Sequence, residues 1–164
     1  GYKNLCEIGK ERIRRAGEKI RKETGKTDLD IGFKVFKLDS SSWKAWDTET
    51  ANIRDEISTH RNNLKEERSQ EDLLYEILLK IGLPLTASIE GIRINNKTIY
   101  NVDTGKVLIC LEDEIDLEIV HEMLKLMREG SKAIFKETGF LSDTVKMNAF
   151  ETLKKNGITD VRSV

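Results

Sequence analysis

The chain has 164 residues, 38% hydrophobic and 35% charged, with a formal net charge of −1. That length suffices for one ordinary domain with a sizeable core, or for a small domain plus an appended element. The composition is that of a soluble protein with a highly charged surface, and no apolar run approaches the length of a membrane span. Cys6 and Cys110 are the only cysteines, both among apolar neighbours. With no signal peptide and no disulfide framework, they are expected to be reduced and packed in a cytosolic protein, and the sequon Asn96-Lys97-Thr98 to be without consequence.

Charge is unevenly placed. Residues 1–26 hold nine basic side chains against four acidic ones, about +5, which leaves about −6 for the rest. Residues 4–23 spell a helix, with Leu5, Ile8, Ile13, Ala16, Gly17 and Ile20 on an apolar stripe. Basic residues cover its other face, and Gly25 is the expected stop. The run 31–38 (Ile-Gly-Phe-Lys-Val-Phe-Lys-Leu) is rich in β-formers and predicts a strand. Asp39-Ser40-Ser41-Ser42 breaks it, and a short turn carrying Trp43 and Trp46 follows. Residues 48–68 are polar with a weak helical pattern (Ile53, Ile57, Leu64), the expected connector.

A second organised region starts at Ser69, which with Asp72 forms a capping-box signal. Leu73, Leu74, Ile77, Leu78 and Ile81 make a helical face, closed by Gly82 and Pro84. Three alternating runs near 88–94, 98–102 and 107–111 are separated by Asn95-Asn96 and Asp103-Thr104-Gly105, as in an antiparallel meander. Then come a helix over 115–128, a strand at 133–135, a helix over 143–155 capped by Ser142, and a last strand at 161–164. Strand, helix, strand, helix, strand with short loops implies parallel pairing through right-handed crossovers. The expected fold class is α/β (α+β): a mixed sheet with helices against it, preceded by an amphipathic helix.

Catalytic chemistry has no footing in these residues. No Gly-rich fingerprint follows a strand. His121-Glu122-Met123-Leu124-Lys125 begins like a zinc-protease helix, but Lys125 stands where the second histidine belongs. The other histidine, His60, lies in the polar connector. The acidic cluster Glu112, Asp113, Glu114, Asp116 and Glu118 is the start of a helix, where carboxylates favour the positive end of the dipole. The chain is therefore expected to hold no metal and no cofactor.

Three stretches carry a family resemblance. They are Glu11-Arg12-Ile13-Arg14-Arg15-Ala16-Gly17-Glu18-Lys19-Ile20, then Gly32-Phe33-Lys34-Val35-Phe36-Lys37-Leu38-Asp39-Ser40-Ser41, then Asp72-Leu73-Leu74-Tyr75-Glu76-Ile77-Leu78-Leu79-Lys80 continuing to Gly82-Leu83-Pro84-Leu85-Thr86. In this order and spacing they resemble the C-terminal part of the methylation subunits of type III restriction-modification systems, which are adenine-specific DNA methyltransferases. Val107-Leu108-Ile109-Cys110-Leu111, Lys146-Met147-Asn148-Ala149 and the terminal Arg162-Ser163-Val164 resemble the family too. The sequence departs from it at Glu137, where the family usually has aspartate, and residues 44–68 do not align. The family's Asp-Pro-Pro-Tyr type motif and its Phe-x-Gly-x-Gly motif for S-adenosylmethionine are absent from the chain.

The resemblance implies that residues 1–26 are a closing helix of the methyltransferase domain. It implies that 27–68 are a strand and connector, and that 69–164 are a C-terminal domain. A start at Gly1 with no initiator Met fits the same expectation of a fragment. The implied partners are the rest of the methyltransferase chain, a second copy, the restriction subunit and DNA, but no membrane. S-adenosylmethionine would belong to the parent. The residues that could meet DNA phosphates are Arg12, Arg14, Arg15, Lys19, Arg21 and Lys22. Four interrupting acids favour a solvated face instead. Trp43 and Trp46 could anchor a partner. Packing is the favoured expectation for both, since few basic or further aromatic residues surround them.

Overall fold

A computed structural model of the chain describes residues 1–44 and 64–164. Contacts divide the chain into two compact units, Gly1–Asp39 and Ser40–Val164. The expected weak helix over 48–68 and Trp46 lie wholly or largely outside the described residues.

The first unit is one helix, α1 (Leu5–Thr24), and a segment that returns along it. The Asn4 side chain accepts a hydrogen bond from the Glu7 amide at 3.0 Å. This satisfies one of the donors that a helix start leaves orphaned. Gly25 ends the helix at φ 66°, in the left-handed conformation that suits glycine. Gly17 is where the returning segment comes close: a Cβ there would stand 3.0 Å from Cβ of Ile31. The run 31–38 forms no strand, contrary to its composition. A strand needs an edge to pair with, and β-propensity is mostly fitness for a half-buried pleated surface. Phe33, Val35, Phe36 and Leu38 are all exposed here. The expectation that Cys6 is packed is also corrected, because it lies exposed on α1.

The second unit is a five-stranded sheet with helices on both faces. Its elements are α2 (Gln70–Lys80), β1 (Ile89–Ile94), β2 (Lys97–Val102), β3 (Val107–Cys110), α3 (Leu117–Leu126), β4 (Lys132–Phe135), α4 (Asp143–Lys155) and β5 (Asp160–Ser163). The strands lie in the order β1-β2-β3-β4-β5. The first three pair antiparallel, and β4 and β5 are added parallel. This is the meander followed by β-α-β-α-β that the alternating patterns imply. Asn95 and Asn96 both take positive φ, 47° and 63°. That is the two-residue turn whose twist suits a hairpin, and asparagine tolerates it better than most side chains.

The central strand shows why the unit is layered. Val107, Leu108, Ile109, Cys110 and Leu111 are all buried. Leu108 and Cys110 join α3 and α4 in one core cluster, with Ile119, Val120, Met123, Ala149 and Leu153. Val107, Ile109 and Leu111 face the other way, into a cluster with Leu73, Leu74, Ile77 and Leu78 of α2. A strand covered on both faces is a continuous apolar run. Side-chain alternation then divides that run between two cores.

The caps agree with the sequence. Ser69 and Asp72 form a reciprocal capping box at α2. Asp116 caps α3 through the Ile119 amide, and Ser142 caps α4 through the Val145 amide.

Candidate functional site

Five of the six basic candidates on α1 are exposed, and Arg21 is half-buried. Several are already engaged within the helix. Glu11 takes Arg15 at 2.7 Å and Arg14 at 4.0 Å, Glu18 takes Arg21 at 2.8 Å, and Glu23 faces Lys19 at 3.7 Å. The hydrogen bond that Arg15 donates to Glu11 holds the guanidinium pKa above its ordinary value. Lys10 does the converse to Glu7, holding that carboxyl down. Such exposed pairs three or four residues apart add only about 0.2–0.5 kcal/mol each to a helix. Their larger effect here is to interleave the signs of charge on the back of α1. A shallow groove of about 670 Å³ between α1 and Ile31 is lined by both signs, including Glu11, Arg14, Glu18 and Lys22. Arg12 and Lys22 enter none of the ion pairs found among the described residues.

In the second unit, Trp43 is a packing residue. It is half-buried, lies against the α2 cluster and forms an antiparallel bridge with Leu64. The Lys80 ammonium sits 3.4 Å from its ring centroid, a cation–π arrangement. Beside it, Glu76 is a clasp that the sequence does not announce. Its carboxylate accepts from Ser41 Oγ at 2.6 Å and from the Ser42 amide at 2.6 Å, and pairs with Lys80 at 3.2 Å. Burial alone would raise the Glu76 carboxyl, but these donors outweigh it and hold the group below its ordinary value. The only signal that could have suggested the clasp is the pair Glu76 and Lys80, four apart on a helix that follows a serine run.

A second unannounced feature is a pocket of about 150 Å³ at the C-terminal end of β3. Leu73 and Leu111 form part of its lining, with Lys65, Arg68, Asp113 and Lys136 also around it. Lys136 is paired with Asp113 at 2.6 Å. Lys65 and Arg68 both donate to Ser40 Oγ, at 3.0 and 2.9 Å. Lys65 and Arg68 thus tie the chain around Ser40 to the segment that leads into α2.

The remaining polar candidates have structural partners. Glu137, the residue at which the sequence departs from the family pattern, pairs with Lys146. Hydrogen bonds from Lys146 and Ser163 hold its carboxyl low. Glu112 accepts from the Thr98 amide at 3.0 Å, joining β2 to the loop after β3. Burial pushes the Cys110 thiol up to about 11, so it is an inert core thiol rather than a nucleophile. Among the described residues no group of histidine, cysteine and acidic side chains is placed to hold a metal ion. No described helix is long and apolar enough to cross a membrane. Among the described residues the strand order never reverses, so this sheet has no switch point of the kind at which open α/β sheets usually bind ligands. Comparison with known proteins finds no matching family model, no matching curated protein and no matching solved structure.

Proposed function

We propose that this chain is the C-terminal, non-catalytic part of an adenine-specific DNA methyltransferase of a type III restriction-modification system. Its work in the cytoplasm is assembly: dimerisation of the methyltransferase, and attachment of the restriction subunit and DNA. In this reading α1 closes onto the methyltransferase domain, and S-adenosylmethionine is bound by that domain. The resemblance of the three stretches around Arg14, Val35 and Tyr75 supports the family. One structural observation carries the assembly role: α1 buries none of its residues, although Leu5, Ile13 and Ile20 form an apolar stripe. An amphipathic helix gains most of its stability by burying such a stripe.

The test is biochemical. Calorimetry of the chain with S-adenosylmethionine should show no binding. Co-purification should recover the chain with the restriction subunit or with the rest of the methyltransferase. Methyl transfer to DNA by this chain alone would overturn the proposal.

A second reading, DNA binding through α1, is favoured by Arg12 and Lys22, which stand outside the ion pairs. It requires an affinity for DNA that falls steeply with salt and is lost on replacing Arg12, Arg14 and Arg15.

A further inference from the structure

Residues Ser40–Trp43 lie on the second unit as a strap fastened by side chains. Glu76 of α2 accepts from Ser41 Oγ and from the Ser42 amide, both at 2.6 Å. Lys65 and Arg68 reach Ser40 from the segment before α2. The Lys65 amide donates to the Ser42 carbonyl at 3.0 Å, beside the bridge between Trp43 and Leu64. Lys80 covers the Trp43 ring. Apolar support is thin by comparison. Of the strap residues only Ser42 is buried. Ser42 and Leu64 stand over the pocket of about 150 Å³, with Leu73 and Leu111 also in its lining, so the strap does not pack tightly on the cluster there.

The sheet beneath is held differently. Its two apolar clusters owe their stability to burial, which depends on no single charge. Stretches with few buried apolar contacts open at a lower free energy than the domain that carries them. Among the fastenings of the strap, the bonds to Glu76 are charge-assisted, roughly twice as strong as neutral ones, and they grip two consecutive residues.

We propose that Ser40–Trp43 opens and closes as one piece, latched by the Glu76 carboxylate, while the sheet and its two cores stay folded. The strap begins where the unit Gly1–Asp39 ends, so opening adds its residues to the chain that joins the two compact units. The latch is sensitive to charge. The cations around it are Lys80 on α2, and Lys65 and Arg68 before α2. Lysine and arginine side chains keep their charge in acid, whereas a carboxylate does not. The donors on Glu76 hold its carboxyl below the ordinary value. The strap is therefore latched above the ordinary carboxyl range and loosens as pH falls through the lower folded value. Every contact involved lies within residues 40–164, so the device stands or falls apart from the proposed function.

Native-state hydrogen exchange on the full chain reads the latch. After correction for intrinsic rates, the Ser42 and Lys65 amides should exchange about tenfold or more faster than those of β3, with little dependence on urea. Glu76→Gln keeps an acceptor but removes the charge, and should speed exchange at Ser42 and Lys65 by about tenfold. Ile109→Val, in the core, should speed exchange in β3 several-fold and leave Ser42 and Lys65 unchanged. With Trp46→Phe, Trp43 is the one remaining tryptophan. Its emission should then shift to the red in acid before the far-UV circular dichroism is lost. Strap amides that follow β3 in urea and in Ile109→Val would show that the strap opens only with the whole domain, and would overturn the proposal. So would unchanged exchange at Ser42 in Glu76→Gln, or an acid shift of Trp43 that coincides with loss of helix.

Discussion

The two units differ in how they obtain their order. In residues 1–39 not one residue is buried, yet α1 runs for 20 residues with both ends capped. Its order comes from local devices: the Asn4 cap, the Gly25 stop and ion pairs along the helix. In residues 40–164 the same kinds of cap exist, but they trim elements already fixed by two apolar clusters. Helix propensity and pairs three or four apart leave a lone helix marginal in water, whereas burial supplies most of the stability of a packed one. The first unit therefore leaves its apolar side chains exposed, whereas the second buries its own.

Substitutions can break this contrast in order of severity. Phe135 is fully buried, with the Phe140 and Phe150 rings 5.1 and 6.2 Å away. Phe135→Ala should lower unfolding stability by about 3–5 kcal/mol in urea titrations. Gly139→Ala comes next. A Cβ there would collide with the Glu112 carbonyl and approach Ile115 Cδ1 to 3.1 Å. An overpacking loss of about 1–3 kcal/mol is expected in the same assay. Ser69→Ala removes the hydroxyl that accepts from the Asp72 amide, keeps the backbone bond from residue 69 to the Asp72 carboxylate, and should cost about 1 kcal/mol. Ile13→Ala, half-exposed on α1, should change the urea midpoint by an amount equivalent to no more than about 0.5 kcal/mol. A core-sized loss from that substitution would show that the stripe is already covered within the chain.

The Glu76 clasp gives a pH test confined to the second unit. Its carboxyl is held low in the folded chain, so the ionised group contributes stability above the ordinary carboxyl range. That contribution should fade as pH falls through the ordinary range toward the lower folded value. Glu76→Gln should flatten this part of the stability–pH profile and leave stability above the range lower than in the parent chain. An unchanged acid limb would mean that the serines on Glu76 hold nothing in solution.

Sequence reading succeeded where a residue's environment is set by its near neighbours. Ser69 with Asp72, Ser142 before α4, and Asn95-Asn96 between alternating runs all announce local geometry, and the structure has it. The parallel β3–β4–β5 arrangement followed from short loops around α3 and α4. Reading failed where a distant partner decides. The run from Ile31 to Leu38 has the composition of a strand but pairs with no sheet edge. Cys6 has apolar neighbours in sequence, yet on a helix those neighbours point elsewhere. Glu76 and the Lys65, Arg68 and Lys136 cluster became visible only when folding brought the Ser40–Trp43 stretch beside α2 and the end of β3. For the candidate residues on α1, sequence gave the helix and its charges. It did not show which charges are matched within the helix, because that depends on side-chain reach.

The order of strands in the sheet repeats their order along the chain. Each strand therefore finds its partner in the segment made just before it, across a hairpin or a single helix. Loops to be closed stay short, and no strand waits for a distant one, which lowers the entropic barrier to pairing. The sheet can grow strand by strand as the polypeptide leaves the ribosome. Refolding from urea should accordingly be fast for a sheet of this size, with β1 to β3 protecting their amides no later than β5.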